Sequence, residues 1–104
     1  IAPLSTESKA YPSEFSISQG YPNPFNPKTN FDLIIPDREK VRIFIIDILG
    51  REVRILKNSI LNPGEYRLSW DGTDKFGRLV SSGTYFVVSD YSGIRQMQKL
   101  LFLK

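Results

Sequence analysis

The sequence of 104 residues contains no cysteine and no histidine. Without cysteine, neither a disulfide nor a thiolate metal site can hold the fold together. Without histidine, the chain cannot build a histidine general base, a Ser-His-Asp triad or a histidine-ligated metal. We therefore predict that the chain is not an enzyme and uses no cofactor.

Long apolar runs are also missing. The longest, Ile43–Ile46 and Leu100–Leu103, have four residues each, whereas a membrane-spanning helix needs about 20. We predict no membrane span. No signal peptide opens the chain, which begins at Ile1 rather than Met, and we expect it to be part of a longer protein.

Charge of one sign is not concentrated anywhere. The net charge is +3, and the densest basic run, Arg38–Arg42, contains Glu39 and directly follows Asp37. A nucleic-acid interface needs its basic residues gathered on one face. We therefore predict no nucleic-acid partner.

The composition predicts one folded domain preceded by a linker. Hydrophobic residues make up 40% of the chain and aromatic residues 12%, which is sufficient for a core in a domain of this length. Residues 1–13 are mostly small or polar and contain Pro3 and Pro12, as in a linker. We assign residues 1–13 to a linker from an upstream cargo domain and residues 14–104 to the domain.

Short apolar segments separated by turn residues follow the linker, at the spacing of a β-sandwich. No stretch has apolar residues at helical spacing without glycine or proline. The fold class is therefore all-β, an immunoglobulin-like seven-stranded antiparallel β-sandwich. The predicted strands are Phe15–Ile17, Phe31–Ile35, Val41–Ile46, Val53–Ile55 (closed by Asn58 and Ser59), Tyr66–Trp70, Thr84–Tyr91 and Ile94–Leu103.

Several details of the sandwich follow from individual residues. The third strand is apolar on both faces towards its end, which indicates a central strand or one partly covered on its outer side. Asn62-Pro63-Gly64 has the pattern of a type II turn, with glycine at the position of positive φ. Tyr85, at the start of the sixth strand, matches a tyrosine corner, whose hydroxyl bonds to the backbone a few residues upstream.

The loop Asp71–Gly77 has two interpretations. Asp71 and Asp74, three residues apart among backbone carbonyls, are weak candidates for a calcium site, although the bidentate Glu of an EF-hand is missing. Aspartates in turns also commonly accept hydrogen bonds from nearby backbone N–H groups. The second interpretation is favoured, and no metal site is predicted.

The segment Tyr21–Pro27 has three prolines at alternate or near-alternate positions. Proline fixes φ and removes an N–H donor, so this segment cannot be a central strand. It is predicted to be a rigid corner between the sheets, with Phe25 plugging the end of the sandwich. A rigid surface read by a partner remains the other interpretation.

Taken in order, these motifs resemble a known family. They are Tyr21–Pro27, Val41–Asp47, Leu49–Val53, Pro63-Gly64, Trp70-Asp71-Gly72, Gly77, Ser82–Tyr85 and Lys99–Lys104. The chain is similar over about Phe15–Lys104 to the type A C-terminal sorting domain of the type IX (Por) secretion system. It also resembles the related immunoglobulin-like domain of the flagellar hook-capping protein.

The resemblance implies a non-catalytic sorting and anchoring domain. Its cargo, in the same chain, would pass through the periplasm and outer membrane to be secreted or held at the cell surface. The implied partners are the outer-membrane secretion machinery and a surface sortase-like peptidase, which would cut near Ser5–Pro12. We expect a monomer. The implied sorting and recognition residues are Gly83, Tyr85, Lys99, Leu100, Leu101, Phe102, Leu103 and Lys104.

Other functions stay open on the residues alone. One is a structural interaction module like the hook-capping relative. Another is a carbohydrate-binding or calcium-stabilised accessory module of a secreted hydrolase, with Tyr11, Tyr21, Phe25 and Trp70 as a sugar platform. The core interpretation of Trp70 is favoured, because it is in phase with Tyr66 and Leu68. At the last strand, backbone groups could pair with a partner strand, while Lys99 and Lys104 either discourage such pairing or are recognised.

Overall fold

The computed structural model describes residues 14–104. The predicted linker 1–13, with the cleavage region Ser5–Pro12 and Tyr11, lies outside these residues. Within them the chain forms seven strands and no helix, and so nothing long and apolar enough to be a membrane-spanning helix. The strands are β1 (Ser16–Ile17), β2 (Thr29–Ile35), β3 (Glu39–Asp47), β4 (Glu52–Leu61), β5 (Gly64–Trp70), β6 (Gly83–Tyr91) and β7 (Ile94–Phe102).

The strands form two antiparallel sheets. One has three strands in the order β1-β2-β5, and the other has four in the order β4-β3-β6-β7. The fourth strand pairs with the third, whereas in constant-type immunoglobulin domains it joins the sheet of the first, second and fifth. The predicted seven-stranded antiparallel sandwich is confirmed, and β7 lies at an edge of the larger sheet.

The core lies between the two sheets and follows from period-two alternation. In β2, the side chains at alternate positions point inward and are fully buried. The same holds for alternate positions in the middle of β3, which belongs to the other sheet. Trp70, at the end of β5, is 1% exposed, so the core interpretation of this residue is confirmed. The fully buried side chains of the two strands are Phe31, Leu33, Ile35, Val41, Ile43 and Ile45.

Strand β3 is central, as predicted, and its outer face is covered. Phe44 and Val88 are buried, yet they lie outside the core cluster, on the opposite face of the larger sheet. The guanidinium carbons of Arg42 and Arg95 lie 4.0 and 5.7 Å from the centre of the Phe44 ring. Cation–π contacts with these arginines thus help to shield an outward aromatic side chain from water.

Two predictions for the middle of the chain are wrong, whereas the other predicted strand ends differ from the observed ones by at most two residues. Strand β4 does not close at Asn58 and Ser59 but continues to Leu61, because its backbone keeps pairing with β3 as far as Glu39. Pairing between strands outweighs the weak β-propensity of these polar residues. Gly64 has a φ of +149° and begins β5, whereas a type II turn would place it near +80°.

The tyrosine corner is present. The hydroxyl of Tyr85 donates a hydrogen bond of 2.7 Å to the carbonyl of Ser81. Its ring is 7% exposed and meets Trp70 edge to face, with ring centres 5.3 Å apart. Tyr85 therefore ties the loop before β6 to the aromatic end of the core.

Replacing Tyr85 with phenylalanine tests the corner. We expect Tyr85→Phe to lower the free energy of unfolding by about 1–2 kcal/mol, because the Ser81 carbonyl loses its donor while the ring still packs. Urea unfolding measures the loss, and far-UV circular dichroism checks that the fold is kept. An unchanged urea midpoint would show that the hydrogen bond contributes nothing.

Candidate recognition site at the terminal strand

Six of the eight residues predicted to take part in recognition lie in the terminal strand β7 or directly after it. Leu100 and Phe102 are 0% and 1% exposed and belong to the core. Lys99 and Lys104 are exposed, and Leu103 is 47% exposed, while Leu101 is half-buried. A partner binding the folded domain would therefore meet Lys99, Leu103 and Lys104, because the buried pair is inaccessible.

The other two predicted residues, Gly83 and Tyr85, lie beside the end of β7. In the antiparallel register, Gly83 is opposite Phe102 and Tyr85 is opposite Leu100. The backbone N–H of Lys104 donates to the hydroxyl of Ser82, at 2.9 Å. The fold thus brings all eight residues to one end of the larger sheet.

The proline-rich segment Tyr21–Pro27 lies along the outer edge of β7. The N–H of Phe25 donates to the carbonyl of Leu101 at 3.0 Å, and the N–H of Leu103 donates to the carbonyl of Phe25 at 3.1 Å. The side chain of Asn23 accepts from the N–H of Leu101 at 2.9 Å and donates to the carbonyl of Lys99 at 3.0 Å. These bonds make the segment a substitute for a neighbouring strand.

Phe25 anchors the segment in the core, as predicted. The predicted corner between the sheets is wrong, because the segment joins β1 to β2 within one sheet. It is 2% exposed, and its ring centre lies 5.0 Å from that of Phe102 and 5.4 Å from that of Trp70. Gly72 leaves room for this cluster, since a Cβ at that position would lie 2.9 Å from the Phe102 ring. Because Phe25 and Trp70 are buried, neither can belong to a sugar platform on the surface.

The pairing with β7 was missed in the sequence, although a signal for it exists. Prolines at positions 22, 24 and 27 remove three backbone N–H donors. The backbone of Phe25 and the side-chain amide of Asn23 still have donors and acceptors, and these are the groups that bond to β7. Spacing along the chain gives no indication that this segment meets residues about 76 positions later, as the Asn23–Lys99 contact does.

The first half of the β7 edge is uncovered. The outward backbone groups alternate along the strand, and those of Leu101 and Leu103 are bonded to the proline-rich segment. By the same alternation, the backbone groups of Arg95 and Met97 also point outward. No backbone partner for them occurs within residues 14–104. Strand addition by a partner is therefore limited to this half unless the segment moves away.

The two candidate calcium ligands are used within their own loop. One oxygen of Asp71 accepts hydrogen bonds from the N–H and the hydroxyl of Thr73. One oxygen of Asp74 accepts from the N–H groups of Phe76 and Arg78, at 2.8 and 3.0 Å. The interpretation of these aspartates as turn residues is therefore confirmed.

These hydrogen bonds set the charge state of the loop. The hydroxyl of Thr73 lowers the pKa of the Asp71 carboxyl, and the N–H of Arg78 lowers the pKa of Asp74. Both groups are therefore carboxylates at neutral pH. Within residues 14–104, no cluster of three or more acidic, histidine or cysteine side chains is placed to bind a metal.

The fold and the site together define a class: an immunoglobulin-like sandwich whose last strand is built into the core and presents a basic, partly apolar end. Residues 19–102 match the family model described as secretion system C-terminal sorting domain. Because this match covers most of the chain, the chain belongs to that family. It is a sorting domain for type IX export, which directs proteins through the outer membrane to the cell surface or the medium.

Solved structures agree on the fold. A crystal structure of dimeric latent PorU from Porphyromonas gingivalis superimposes with a TM-score of 0.65 at 20% identity. The similarity covers 88% of this chain and 10% of that one, so the chain spans about a tenth of the length of PorU. Comparison with curated protein sequences finds no significant match.

Calcium should not stabilise the protein. Since the oxygens of Asp71 and Asp74 already accept N–H and O–H bonds, we expect millimolar calcium to leave the melting temperature where equal magnesium leaves it. Differential scanning fluorimetry measures both. A rise of several degrees with calcium alone, abolished by Asp71→Asn, would reveal a site in this loop.

Proposed function

We propose that this chain is a non-catalytic sorting module that the outer-membrane export machinery recognises in its folded state. Residues 1–13 act as the linker to an upstream cargo domain, and a surface sortase-like peptidase cuts within Ser5–Pro12. The module itself, residues 14–104, works as a monomer. Recognition involves Lys99, Leu103 and Lys104 on the accessible side of the terminal strand.

The observation that carries this proposal is the alternation of buried and exposed side chains at the end of β7. Leu100 and Phe102 are buried in the core, whereas Lys99 and Lys104, on either side of them, are exposed. The accessible residues therefore keep their relative positions only while the sandwich is folded. Gly83 and Tyr85 lie opposite Phe102 and Leu100 in the neighbouring strand, and Leu101 is half-buried between them.

The lowered pKa values of two carboxyl groups agree with a lack of catalysis. Arg67 lowers the pKa of Asp32, and Arg95 lowers the pKa of Asp90. An effective general base has a pKa near the working pH, and carboxyls held below their ordinary value of about 3.9 are far from it. With no histidine or cysteine in the sequence, the strongest general bases and nucleophiles are missing.

Export of a reporter tests the recognition residues. The domain with its linker is fused to the C-terminus of a reporter that carries its own inner-membrane signal, in a host with type IX machinery. We expect Lys99→Ala with Lys104→Ala to leave the reporter in the periplasm. The unfolding free energy should change by no more than about 0.5 kcal/mol, because both side chains are exposed.

Two controls make this result specific. Lys28→Ala with Lys40→Ala removes two other exposed lysines and should leave surface delivery unchanged. Normal delivery of the Lys99/Lys104 variant would show that these lysines only discourage edge pairing. Periplasmic retention of the unmutated fusion would refute the sorting function proposed for this domain.

A further inference from the structure

Two five-residue segments of the chain fold into the same turn. Asp47–Arg51 and Asp74–Arg78 both have the pattern aspartate, any residue, apolar residue, glycine, arginine. In each, the N–H of the aspartate donates to the carbonyl of the arginine, at 3.0 and 2.8 Å. The glycine N–H donates back to the aspartate carbonyl, at 3.0 and 2.9 Å, and the glycine φ is +83° and +80°.

The side-chain hydrogen bonds of the two turns are also the same. Each aspartate accepts from the N–H of the third and fifth residues, at distances between 2.8 and 3.0 Å. The Nε of each arginine faces the second oxygen of its aspartate, at 2.9 Å for Arg51 and 3.4 Å for Arg78. Both turns are therefore held by several hydrogen bonds rather than left as open loops.

Both turns present an apolar side chain to water. Leu49 is 72% exposed and Phe76 is 68% exposed, and Ile48 next to Leu49 is 70% exposed. These are the three most exposed large apolar side chains within residues 14–104. Leaving large apolar side chains in water costs free energy. Two hydrogen-bonded turns that both expose such side chains therefore indicate a binding surface.

Both apolar tips line one groove. It has a volume of about 610 Å³, and Leu49 and Phe76 are among its lining residues. The lining also includes Gly83 and Tyr85 at the start of β6, next to the end of the terminal strand. We name it the twin-turn groove. It lies at the same end of the sandwich as the residues proposed for recognition.

Around the twin-turn groove, the negative charges are paired within the chain, whereas some of the positive charges are available to a partner. Burial alone would raise the pKa of Asp47, but hydrogen bonds from Arg51 and Leu49 lower it. Asp47 is therefore a carboxylate at neutral pH, and its charge is paired with Arg51 within the turn. Glu52 pairs with Arg42 in the same way. Lys75, in contrast, is exposed and has no ion pair within the described residues; its Nζ lies 5.5 Å from the centre of the Phe76 ring.

The two arginines add to this imbalance. Arg51 and Arg78 are 74% and 72% exposed, and each meets its aspartate through Nε. Within the described part of the chain, their terminal nitrogens donate no hydrogen bond, although the Arg78 guanidinium carbon lies 4.9 Å from the centre of the Phe76 ring. Such nitrogens can donate to a further carboxylate, so the surface attracts acidic rather than basic groups.

From this geometry we propose that the twin-turn groove is a docking site for a protein segment of the export machinery that carries an apolar side chain beside acidic ones. The apolar side chain would fill the groove between Leu49 and Phe76, and the acidic groups would meet Lys75 and the arginine tips. This proposal rests on the sorting function and adds a second binding surface to the terminal strand.

The test is surface delivery of the same reporter fusion with Leu49→Ser and Phe76→Ser. Both side chains are exposed, so the urea midpoint should not change. Because the variant removes both apolar anchors of the docking site, delivery should fall by at least about tenfold. Lys75→Glu should also reduce delivery. The separate variant Lys75→Arg should be delivered like the unmutated fusion, because arginine keeps the positive charge.

The matched control is Ile60→Ser with Ile94→Ser. These side chains are 56% and 59% exposed and lie at the other end of the larger sheet. Unchanged delivery in this control, with reduced delivery of Leu49→Ser/Phe76→Ser, supports the groove. Equal delivery by the groove variant and the unmutated fusion overturns the groove proposal while the sorting function stands. Retention of the unmutated fusion refutes both.

Vesicles distinguish a protein partner from a lipid surface. Apolar tips with nearby cations also suit a membrane interface. The purified unmutated protein is sedimented with vesicles of phosphatidylethanolamine and phosphatidylglycerol, and we expect it to stay in the supernatant. Binding that disappears in Leu49→Ser/Phe76→Ser would overturn the protein-segment proposal in favour of membrane docking.

Discussion

The pairing between the proline-rich segment and the terminal strand is the interaction on which the rest of this domain depends. Asn23 and Phe25 give β7 the hydrogen bonds that a further strand would give. They also close the end of the core, where Phe25 stacks on Phe102. A chain with no disulfide has to join its first and last elements by packing and hydrogen bonds alone.

This pairing connects folding with sorting. Lys99, Leu103 and Lys104 are near the end of the chain, but the segment that bonds to the backbone of Lys99 and Leu103 lies some 76 residues earlier. The accessible residues are therefore in place only after the whole sandwich has formed. A partner that binds them would distinguish folded from unfolded sorting domains, because the buried neighbours Leu100 and Phe102 fix the strand in register.

The covered edge also bears on solubility. An open edge strand invites uncontrolled pairing, and the second half of β7 avoids it through its own chain rather than through charge alone. The outer face of the same sheet is shielded from water in a different way, by charged side chains. There Arg42 stacks on Phe44 and pairs with Glu52, so a buried aromatic ring has a polar cover. At the twin-turn groove this cover is only partial. Arg78 and Lys75 lie 4.9 and 5.5 Å from the centre of the Phe76 ring, yet that side chain stays 68% exposed, and Ile48 and Leu49 are more exposed still.

Much of the fold can be predicted from the sequence, because period-two alternation and turn residues are local signals. The number of strands, the burial of Trp70 and the corner at Tyr85 all follow from such signals. The end of β4 could not be predicted, because Asn58 and Ser59 are held in the strand by their partner β3. Local pattern carries no information about that partner. The candidate site was less predictable for the same reason: the sequence marks Tyr21–Pro27 as rigid but does not show which edge it covers.

Native-state hydrogen exchange tests the central pairing most directly. The amide protons of Leu101 and Leu103 donate to Asn23 and to Phe25, respectively. If the pairing is integral to the fold, both should exchange only by global unfolding, with an opening free energy equal to the urea-derived stability. Asn23→Ala should then speed exchange at Leu101. Rapid exchange of both amides in the unmutated protein, with the core strands still protected, would show that the end of β7 frays and would contradict this account.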